Sequence, residues 1–390
     1  MHRCIRIDCR VRQILVNDRW GCSVLLNRRL KHLKLTLILF CSATIIPVCA
    51  NAEFDRYDKA GTEAYEHGKY AEAETLFSKG LKAAGQSGLD QLEVATAQNN
   101  LAEVYRAQAK YSKAEPLYKN SLAIREQTLG PNHPAVATSL NNLALLYVTQ
   151  GRYAQAESLF KRSLTIVEKT LGPNHLDVLK SLNNLAIVYY RQRRYAAAES
   201  LLKRSACLRE KTLGPNHRDV ATSLNNLAEV YCKHGKYTDA EPLLKRTIAI
   251  DEKALGKDHP NLATDLNNLA DLYRIIGKYA AAEPLYKRSL TIRERALGPA
   301  HTDVAASLNN LAVLYAAQGK YAVAEPLHRR ALAIDEKALG SNHPDVAADL
   351  SNLASLLRKT NRKVEAAKLE ARANAIMTAN YSLRPILNKQ

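Results

Sequence analysis

Apolar residues recur along the chain with a fixed long period. The motif Leu-Asn-Asn-Leu-Ala returns every 42 residues. Its five full copies lie at 140–144, 182–186, 224–228, 266–270 and 308–312, and imperfect copies lie at 98–102 and 350–354. Self-similarity of this kind, without insertions or deletions, is the sequence signature of a repeat architecture.

Each period predicts two helices. Leu140, Leu143, Ala144 and Tyr147 follow the i, i+3, i+4, i+7 spacing of one helical face, and Gly151 is placed to end that helix. The apolar face of the second helix is formed by Ala156, Phe160, Ser163, Leu164 and Val167. Neither helix can bury its apolar face alone, so neighbouring periods must stack into an all-α solenoid.

The two-helix pattern resembles the tetratricopeptide repeat. Its W-x2-L-G-x2-Y…A-x3-F scheme is matched, with Leu for Trp and Ala for Gly, by Leu140, Leu143, Ala144, Tyr147, Ala156 and Phe160. The 42-residue unit is longer than the usual unit of about 34 residues and is similar to the kinesin light chain type, which is also common in bacterial proteins. The resemblance covers about residues 54–380. It implies a right-handed superhelical α-solenoid whose first helices line a concave groove.

The ends of the array differ from its middle. Residues 53–92 are predicted to form a divergent first repeat and a linker, and residues 93–344 to form six regular repeats. In residues 345–380 the second helix is rich in Lys, Arg, Glu and Ala, which is typical of a repeat that caps the exposed end of a solenoid. Residues 381–390 are predicted to form a tail.

Paired asparagines are the most informative polar feature, because Asn is a mediocre helix former and yet recurs in the middle of each first helix. The first members are Asn99, Asn141, Asn183, Asn225, Asn267 and Asn309, and the second members are Asn100, Asn142, Asn184, Asn226, Asn268 and Asn310. The resemblance places these residues at the groove, where an amide can bind the backbone of a peptide. Alternatively, one Asn of each pair bonds between neighbouring helices. We favour the second members as the ligand-facing residues.

Charged residues that vary between repeats follow the asparagines at helical spacing. Lys180, Arg191, Lys233 and Arg274 are the basic members of this set. They can accept an acidic side chain or the C-terminal carboxylate of a partner. The alternative is that they form an ordinary solvated face.

Six histidines recur in the turns between repeats: His133, His175, His217, His259, His301 and His343. Metal ligands must meet at one ion, whereas these residues are spaced one per repeat. We therefore expect them to lie at helix starts, and we expect no metal site and no cofactor.

Basic pairs in the second helices raise nucleic-acid binding as an alternative. The pairs are Lys161-Arg162, Lys203-Arg204, Lys245-Arg246, Lys287-Arg288 and Arg329-Arg330. The first member of each pair lies four residues after a Glu, which is the spacing of a stabilising ion pair on an exposed helix face. The sequence therefore predicts no nucleic-acid partner.

The N-terminal 52 residues have the order of a secretory signal peptide. A basic segment at 28–34 precedes an apolar run at 35–48, and Ala50-Asn51-Ala52 has the form of a processing site. We expect cleavage after Ala52 and export to the periplasm or medium, with an uncleaved membrane anchor as the alternative. Removing this leader lowers the formal charge from +18 to +11 and leaves two cysteines, Cys207 and Cys232, which are expected to be free thiols.

The sequence carries none of the nucleophile, nucleotide or metalloprotease motifs that we sought. It predicts a non-enzymatic scaffold that binds a peptide or helix of another protein, with no membrane span in the mature chain. The alternatives are a basic nucleic-acid-binding array and a self-assembling structural module. The oligomeric state stays open.

Overall fold

A computed structural model describes residues 45–86 and 91–382 of the chain. Within these ranges the chain forms sixteen helices and no strand. The helices are α1 (Ile45–Glu66), α2 (Tyr70–Gln86), α3 (Gln91–Ala107), α4 (Tyr111–Leu129), α5 (Pro134–Thr149), α6 (Tyr153–Leu171), α7 (Leu176–Arg191), α8 (Tyr195–Leu213), α9 (Arg218–His234), α10 (Tyr237–Leu255), α11 (Pro260–Ile275), α12 (Tyr279–Leu297), α13 (Thr302–Ala317), α14 (Tyr321–Leu339), α15 (Pro344–Lys359) and α16 (Lys363–Ser382). Most of the predicted leader and most of the predicted tail lie outside the described residues.

The helices are divided between two units, residues 1–192 and residues 193–390. The first unit contains α1 to α7, and the second contains α8 to α16. Within each unit every helix packs against the next helix along the chain. This consecutive packing confirms the predicted all-α solenoid of helix-turn-helix repeats.

Each regular repeat has a first helix of 16 or 17 residues and a second helix of 19 residues, as α5 and α6 illustrate. The first helices begin at histidines. His217, for example, has an extended backbone, and its side chain accepts a hydrogen bond at 3.2 Å from the backbone N–H of Asp219. This bond satisfies one of the N–H groups that a helix start leaves without a partner. The predicted helix-entry role of the histidines is thereby confirmed.

In several repeats, including the one formed by α5 and α6, glycines end both helices. Gly151 follows the first helix with a φ of 75°, and the next residue, Arg152, donates its N–H to the carbonyl of Tyr147 at 2.8 Å. Gly256 follows the second helix at φ 90° and ψ 163°, a conformation open essentially to glycine alone. These positions explain how the chain reverses twice within each period.

The apolar core runs between repeats as well as within them. One cluster joins residues of α12, α13 and α14, and consists of Leu290, Val304, Ala305, Leu308, Leu327, Ala331 and Ile334. Because α12 belongs to the preceding repeat, the apolar face of α13 is covered only when two repeats stack. The physical argument for a solenoid is thus confirmed at the level of side chains.

The last repeat carries charged residues on its outer surface. Ala373 and Ile376 of α16 pack on Leu350 of α15, while Glu370 occupies the position of Phe160 and pairs with Arg358 at the surface. A charged pair therefore stands where the other repeats place a buried aromatic or aliphatic residue.

Candidate functional site

The candidate site is the open side of the first helices, which we call the first-helix face. Each unit has its own such face, formed by α3, α5 and α7 in the first unit and by α9, α11, α13 and α15 in the second. The first helices of adjacent repeats touch directly in the pairs α3–α5, α5–α7, α11–α13 and α13–α15. The second helices of adjacent repeats are instead bridged by ion pairs between long side chains, such as Arg162–Glu126 at 2.6 Å and Arg288–Glu252 at 2.5 Å. The first helices of adjacent repeats therefore approach one another more closely than the second helices do.

Asparagines on this face form hydrogen bonds between repeats. The side-chain N–H of Asn142 donates to Oδ1 of Asn99 at 2.9 Å, and that of Asn268 donates to Oδ1 of Asn225 at 2.7 Å. In each case the second Asn of one repeat binds the first Asn of the repeat before it. At these two junctions the amides join neighbouring first helices, which was one of the two alternatives predicted.

At the N-terminal end, α1 takes the place of a preceding first helix in this series of bonds. Asn100 donates to Oδ1 of Asp58 at 2.7 Å. Burial raises the pKa of Asp58, although the hydrogen bond from Asn100 opposes that effect. The first repeat is therefore joined to the array through a carboxylate instead of an amide.

Three of the first asparagines lie inside the stack. Asn183, Asn267 and Asn309 are only 7%, 4% and 9% exposed. Asn309 donates to Oδ1 of Asp349 at 2.6 Å. This placement differs from the predicted groove position, because the close approach of adjacent first helices covers these amides. The other three first members, Asn99, Asn141 and Asn225, are half-buried.

Three of the second asparagines keep their amides open. Asn184 in the first unit and Asn226 and Asn310 in the second are half-buried. Within the described part of the chain they make no side-chain hydrogen bond. These three are side-chain amides on the first helices that can bind a ligand without breaking an internal bond.

The predicted basic residues have different surroundings. Lys180 and Arg191 lie half-buried on α7, and Lys233 lies half-buried on α9 of the other unit. Arg274 on α11 is held by Asp271 at 3.3 Å. Burial alone would lower the pKa of Arg274, but Asp271 outweighs it and raises that pKa. Arg274 is thus partly committed to an internal ion pair.

The partner of Arg274, Asp271, makes a second polar contact that was not predicted from the sequence. The hydroxyl of Tyr286 on α12 donates to Asp271 at 2.6 Å. In the first unit, Tyr118 donates in the same way to Glu103 at 2.6 Å. The sequence contains a signal for this contact. An acidic residue precedes each of these tyrosines by 15 residues, whereas Leu145 precedes Phe160 at the same spacing.

The predicted pairs form, as at Lys161 with Glu157 at 2.7 Å and Lys245 with Glu241 at 2.8 Å. A pair of the same spacing that was not predicted, at Glu115, is part of a larger cluster. Glu115 on α4 binds Lys119 at 2.8 Å, Arg152 at 2.7 Å and the hydroxyl of Tyr147 at 3.0 Å. Burial raises the pKa of Glu115, but these three donors outweigh burial and lower it to about 2. Tyr147 lies on α5, so the cluster joins one repeat to the next.

The second member of each basic pair is also bound within the protein. Arg246 pairs with Glu210 of the preceding second helix at 2.6 Å, and Arg330 pairs with Glu294 at 2.7 Å. Much of the positive charge on the second helices is therefore balanced by carboxylates of the chain itself.

The two cysteines of the predicted mature chain are free. Cys207 is exposed, whereas Cys232 is half-buried on the first-helix face. Burial, with Glu229 and Asp271 nearby, raises the pKa of Cys232 to about 11. The structure confirms two free thiols and gives Cys232 low reactivity, because the thiolate is the nucleophile.

Two other features concern the described residues only. No group of three or more metal-ligating side chains occurs among them. None of their helices has both the length and the apolar character needed to cross a bilayer.

The sequence profile of the tetratricopeptide repeat matches the chain in overlapping segments at 93–169, 149–211, 177–253, 219–295, 277–337 and 303–379. The chain belongs to the tetratricopeptide repeat family. Proteins of this family are in general non-catalytic scaffolds that bind other proteins. No curated protein matches the chain.

Solved structures of repeat proteins are similar to this tetratricopeptide repeat protein. Kinesin light chain repeats of Podosopora anserina are 30% identical, with a TM-score of 0.48, and the match covers 53% of this chain and 97% of that one. BtubC from P. vanneervenii is 23% identical with a TM-score of 0.50, over 64% and 92% of the two chains. Aspartyl phosphate phosphatase F from Bacillus subtilis is 12% identical with a TM-score of 0.57, over 87% and 96%. The last two similarities, below 25% identity, concern the fold alone.

Proposed function

We propose that this tetratricopeptide repeat protein is a non-enzymatic scaffold that binds an extended peptide or a helix of a partner protein on its first-helix face. The observation that carries the proposal is the set of open amides at Asn184, Asn226 and Asn310. They lie on first helices, at a position where Asn142 and Asn268 are used for internal bonds.

An open amide suits a partner of variable sequence. Each amide offers two N–H donors and an acceptor oxygen, which match the C=O and N–H groups of any peptide backbone. One such bond contributes only about 0.5–1.5 kcal/mol, so several must act together. Lys180, Arg191 and Lys233 would add selectivity for acidic side chains or a C-terminal carboxylate, since charge-assisted bonds are stronger than neutral ones.

The nucleic-acid alternative has less support. Binding to a polyanion uses Lys and Arg that are free to contact phosphates. In this chain Lys245 and Arg246 are paired with Glu241 and Glu210 at 2.8 and 2.6 Å. A binding constant for DNA that falls steeply with salt would favour this alternative. Concentration-dependent association without a ligand would favour the self-assembling module.

We also propose that the protein is exported after cleavage at Ala52. Helix α1 continues through this position, and Phe54, two residues after Ala52, is 6% exposed and packs with Ala84 and Ala97. Cleavage there would keep Phe54 in the core of the first repeat. The N-terminal sequence of the protein recovered from the producing cell tests the proposal: Glu53 is expected as the first residue, and an intact leader would contradict it.

Selection from a random peptide library tests the binding function. Peptides selected on the protein should bind at least about tenfold more weakly to an Asn184→Ala, Asn226→Ala, Asn310→Ala variant, because up to three amide bonds are lost. A matched control changes the exposed turn residues Asn132, Asn174 and Asn216 to Ala.

The control should leave the dissociation constant unchanged. Failure to select any binder, or equal affinities for the first variant and the wild type, would contradict the proposal. Circular dichroism of each variant shows whether the helices are retained.

A further inference from the structure

At two repeat junctions an Arg near the end of a second helix lies against a Ser of the next first helix. Arg125 donates to Oγ of Ser139 at 2.7 Å, and Arg293 donates to Oγ of Ser307 at 2.7 Å. The two residues of such a pair are always 14 positions apart. They sit where the apolar faces of two repeats meet.

Two junctions of the second unit replace this pair with two carboxyl groups. Asp251 of α10 meets Asp265 of α11, and Asp335 of α14 meets Asp349 of α15. All four side chains are buried: Asp335 is 6% exposed and Asp349 is 3% exposed. A buried pair of carboxylates without a cation between them is electrostatically unfavourable.

The hydrogen bonds of the last junction indicate a shared proton. Oδ1 of Asp335 and Oδ2 of Asp349 are buried without a hydrogen-bond donor among the described residues. A single proton held between the two carboxyl groups would satisfy both oxygens, as one group donates and the other accepts. Burial, followed by the neighbouring carboxylate, raises the pKa of Asp349 to about 8, and burial raises that of Asp335 to about 6.

The surroundings of the pair supply little positive charge. Asp303 at the start of α13 and Asp345 at the start of α15 raise the pKa of Asp335 further, whereas the hydrogen bond with Asp349 and the charge of His343 lower it. Asn309 donates to the other oxygen of Asp349 at 2.6 Å. His328 of α14 is 2% exposed, and burial lowers its pKa to about 4.

The neighbouring second helix offers no compensating cation either. Arg372 of α16 pairs with Glu336 at 2.6 Å, so its charge is already balanced. The region around Asp335 and Asp349 therefore favours the protonated pair.

We propose that the Asp335–Asp349 contact is a proton-dependent latch, which holds the terminal repeat α15–α16 on the stack while the two carboxyls share a proton and loosens it when both ionise. The Asp251–Asp265 contact is a second instance of the same arrangement, two repeats earlier. The latch does not depend on the proposed binding function, since it concerns only the contact between two repeats.

The sign of the effect follows from the direction of the pKa shifts. A carboxyl whose pKa is raised in the folded protein keeps its proton where the unfolded chain has already lost it. The stability from the protonated pair is therefore complete below the ordinary Asp pKa of 3.8 and is lost as the pH rises through about 6 and 8. The terminal repeat should open more readily at alkaline than at mildly acidic pH.

Amide hydrogen exchange on the full chain, at about pH 6 and about pH 9, tests the latch after correction for the intrinsic pH dependence of exchange. In the wild type the opening equilibrium of α15 and α16 should increase by about tenfold or more, since one pKa unit corresponds to a tenfold change. Helices α12 and α13, joined by Arg293 and Ser307, serve as an internal reference and should change less. Equal changes in both regions would overturn the proposal.

Two variants separate the latch from other effects of pH. The double change Asp335→Arg, Asp349→Ser installs the pair found at Arg293 and Ser307, and should remove the pH response of α15 and α16. Asp349→Asn keeps the shape of the side chain and supplies a permanent donor, so it should hold the repeat closed at both pH values. A wild-type pH response in either variant would overturn the latch.

Discussion

The side chain of Asn142 donates to Asn99, 43 residues earlier in the chain, at 2.9 Å between Nδ2 and Oδ1. The bond crosses from α5 to α3 and recurs between Asn268 and Asn225 at 2.7 Å. A motif that is repeated along the sequence thus becomes a series of contacts along each unit. The amides of Asn184, Asn226 and Asn310 are not used in this way, and they form the candidate site.

Removing the bonded amide should lower stability more than removing an open one. We expect Asn142→Ala to reduce the free energy of unfolding by about 1 kcal/mol, since a buried partner loses its bond. Asn226→Ala should change it much less. Urea unfolding of both variants and of the Asn99→Ala, Asn142→Ala double variant gives the coupling energy between Asn99 and Asn142, and a coupling near zero would show that the bond contributes nothing.

The Glu115 cluster should make the first unit sensitive to acid. The pKa of Glu115 is lowered from 4.5 to about 2 in the folded protein. The corresponding stability is therefore present above the ordinary Glu pKa and is lost as the pH falls toward 2. Glu115→Gln should reduce the melting temperature at neutral pH and reduce its fall between about pH 5 and pH 2.

The matched control for this experiment is Glu72→Gln, at an exposed glutamate whose partner is Lys69. An isolated surface pair of this kind contributes little to stability. The control should follow the wild-type melting curve across the acid range. If Glu115→Gln follows it too, the cluster does not stabilise the contact between α4 and α5.

A histidine cap can be replaced by a stronger capping residue without loss. His217→Ala should lower the free energy of unfolding by about 1 kcal/mol, because the N–H of Asp219 loses its acceptor. His217→Asn should retain or increase stability, since Asn is among the preferred N-cap residues. Chemical unfolding measures both effects, and equal losses in the two variants would show that the imidazole acts through another contact.

Two equivalent turn positions allow a reciprocal exchange. Gly151 has a φ of 75°, and the same turn in the preceding repeat holds Ala109 at a φ of 59°. A residue with a Cβ is strained there by roughly 1–2 kcal/mol. Gly151→Ala should therefore destabilise the fold. Ala109→Gly should stabilise it by at least a few tenths of that strain energy, and the gain is smaller than the full strain because glycine loses more entropy on folding. Opposite signs in differential scanning calorimetry are expected, and equal signs would contradict the backbone argument.

The fold follows from the sequence because its signal is repeated. The spacing of Leu140, Leu143 and Tyr147 fixes one helix, and the same spacing returns at every 42nd residue. The helix starts at the histidines could be predicted in the same way, because each follows a turn. Local patterns are sufficient when they specify helices that pack only on their neighbours.

The details of the site depend on contacts that no local pattern encodes. The direction of each amide is set by the adjacent first helix, so Asn183 is buried while Asn184 stays half-exposed. The contact of Asp335 with Asp349 likewise requires α14 to pack on α15, although the two residues are close in sequence. A comparison of the repeats could also have shown the contact of Tyr118 or Tyr286 with the acidic residue 15 positions before it.

A crystal structure of the chain with a library-selected peptide tests the central claim most directly. The account predicts peptide backbone atoms within about 3 Å of the side-chain amide of Asn184, Asn226 or Asn310, with the bonds of Asn142 and Asn268 between repeats left intact. A peptide bound on the second helices, away from these amides, would contradict it.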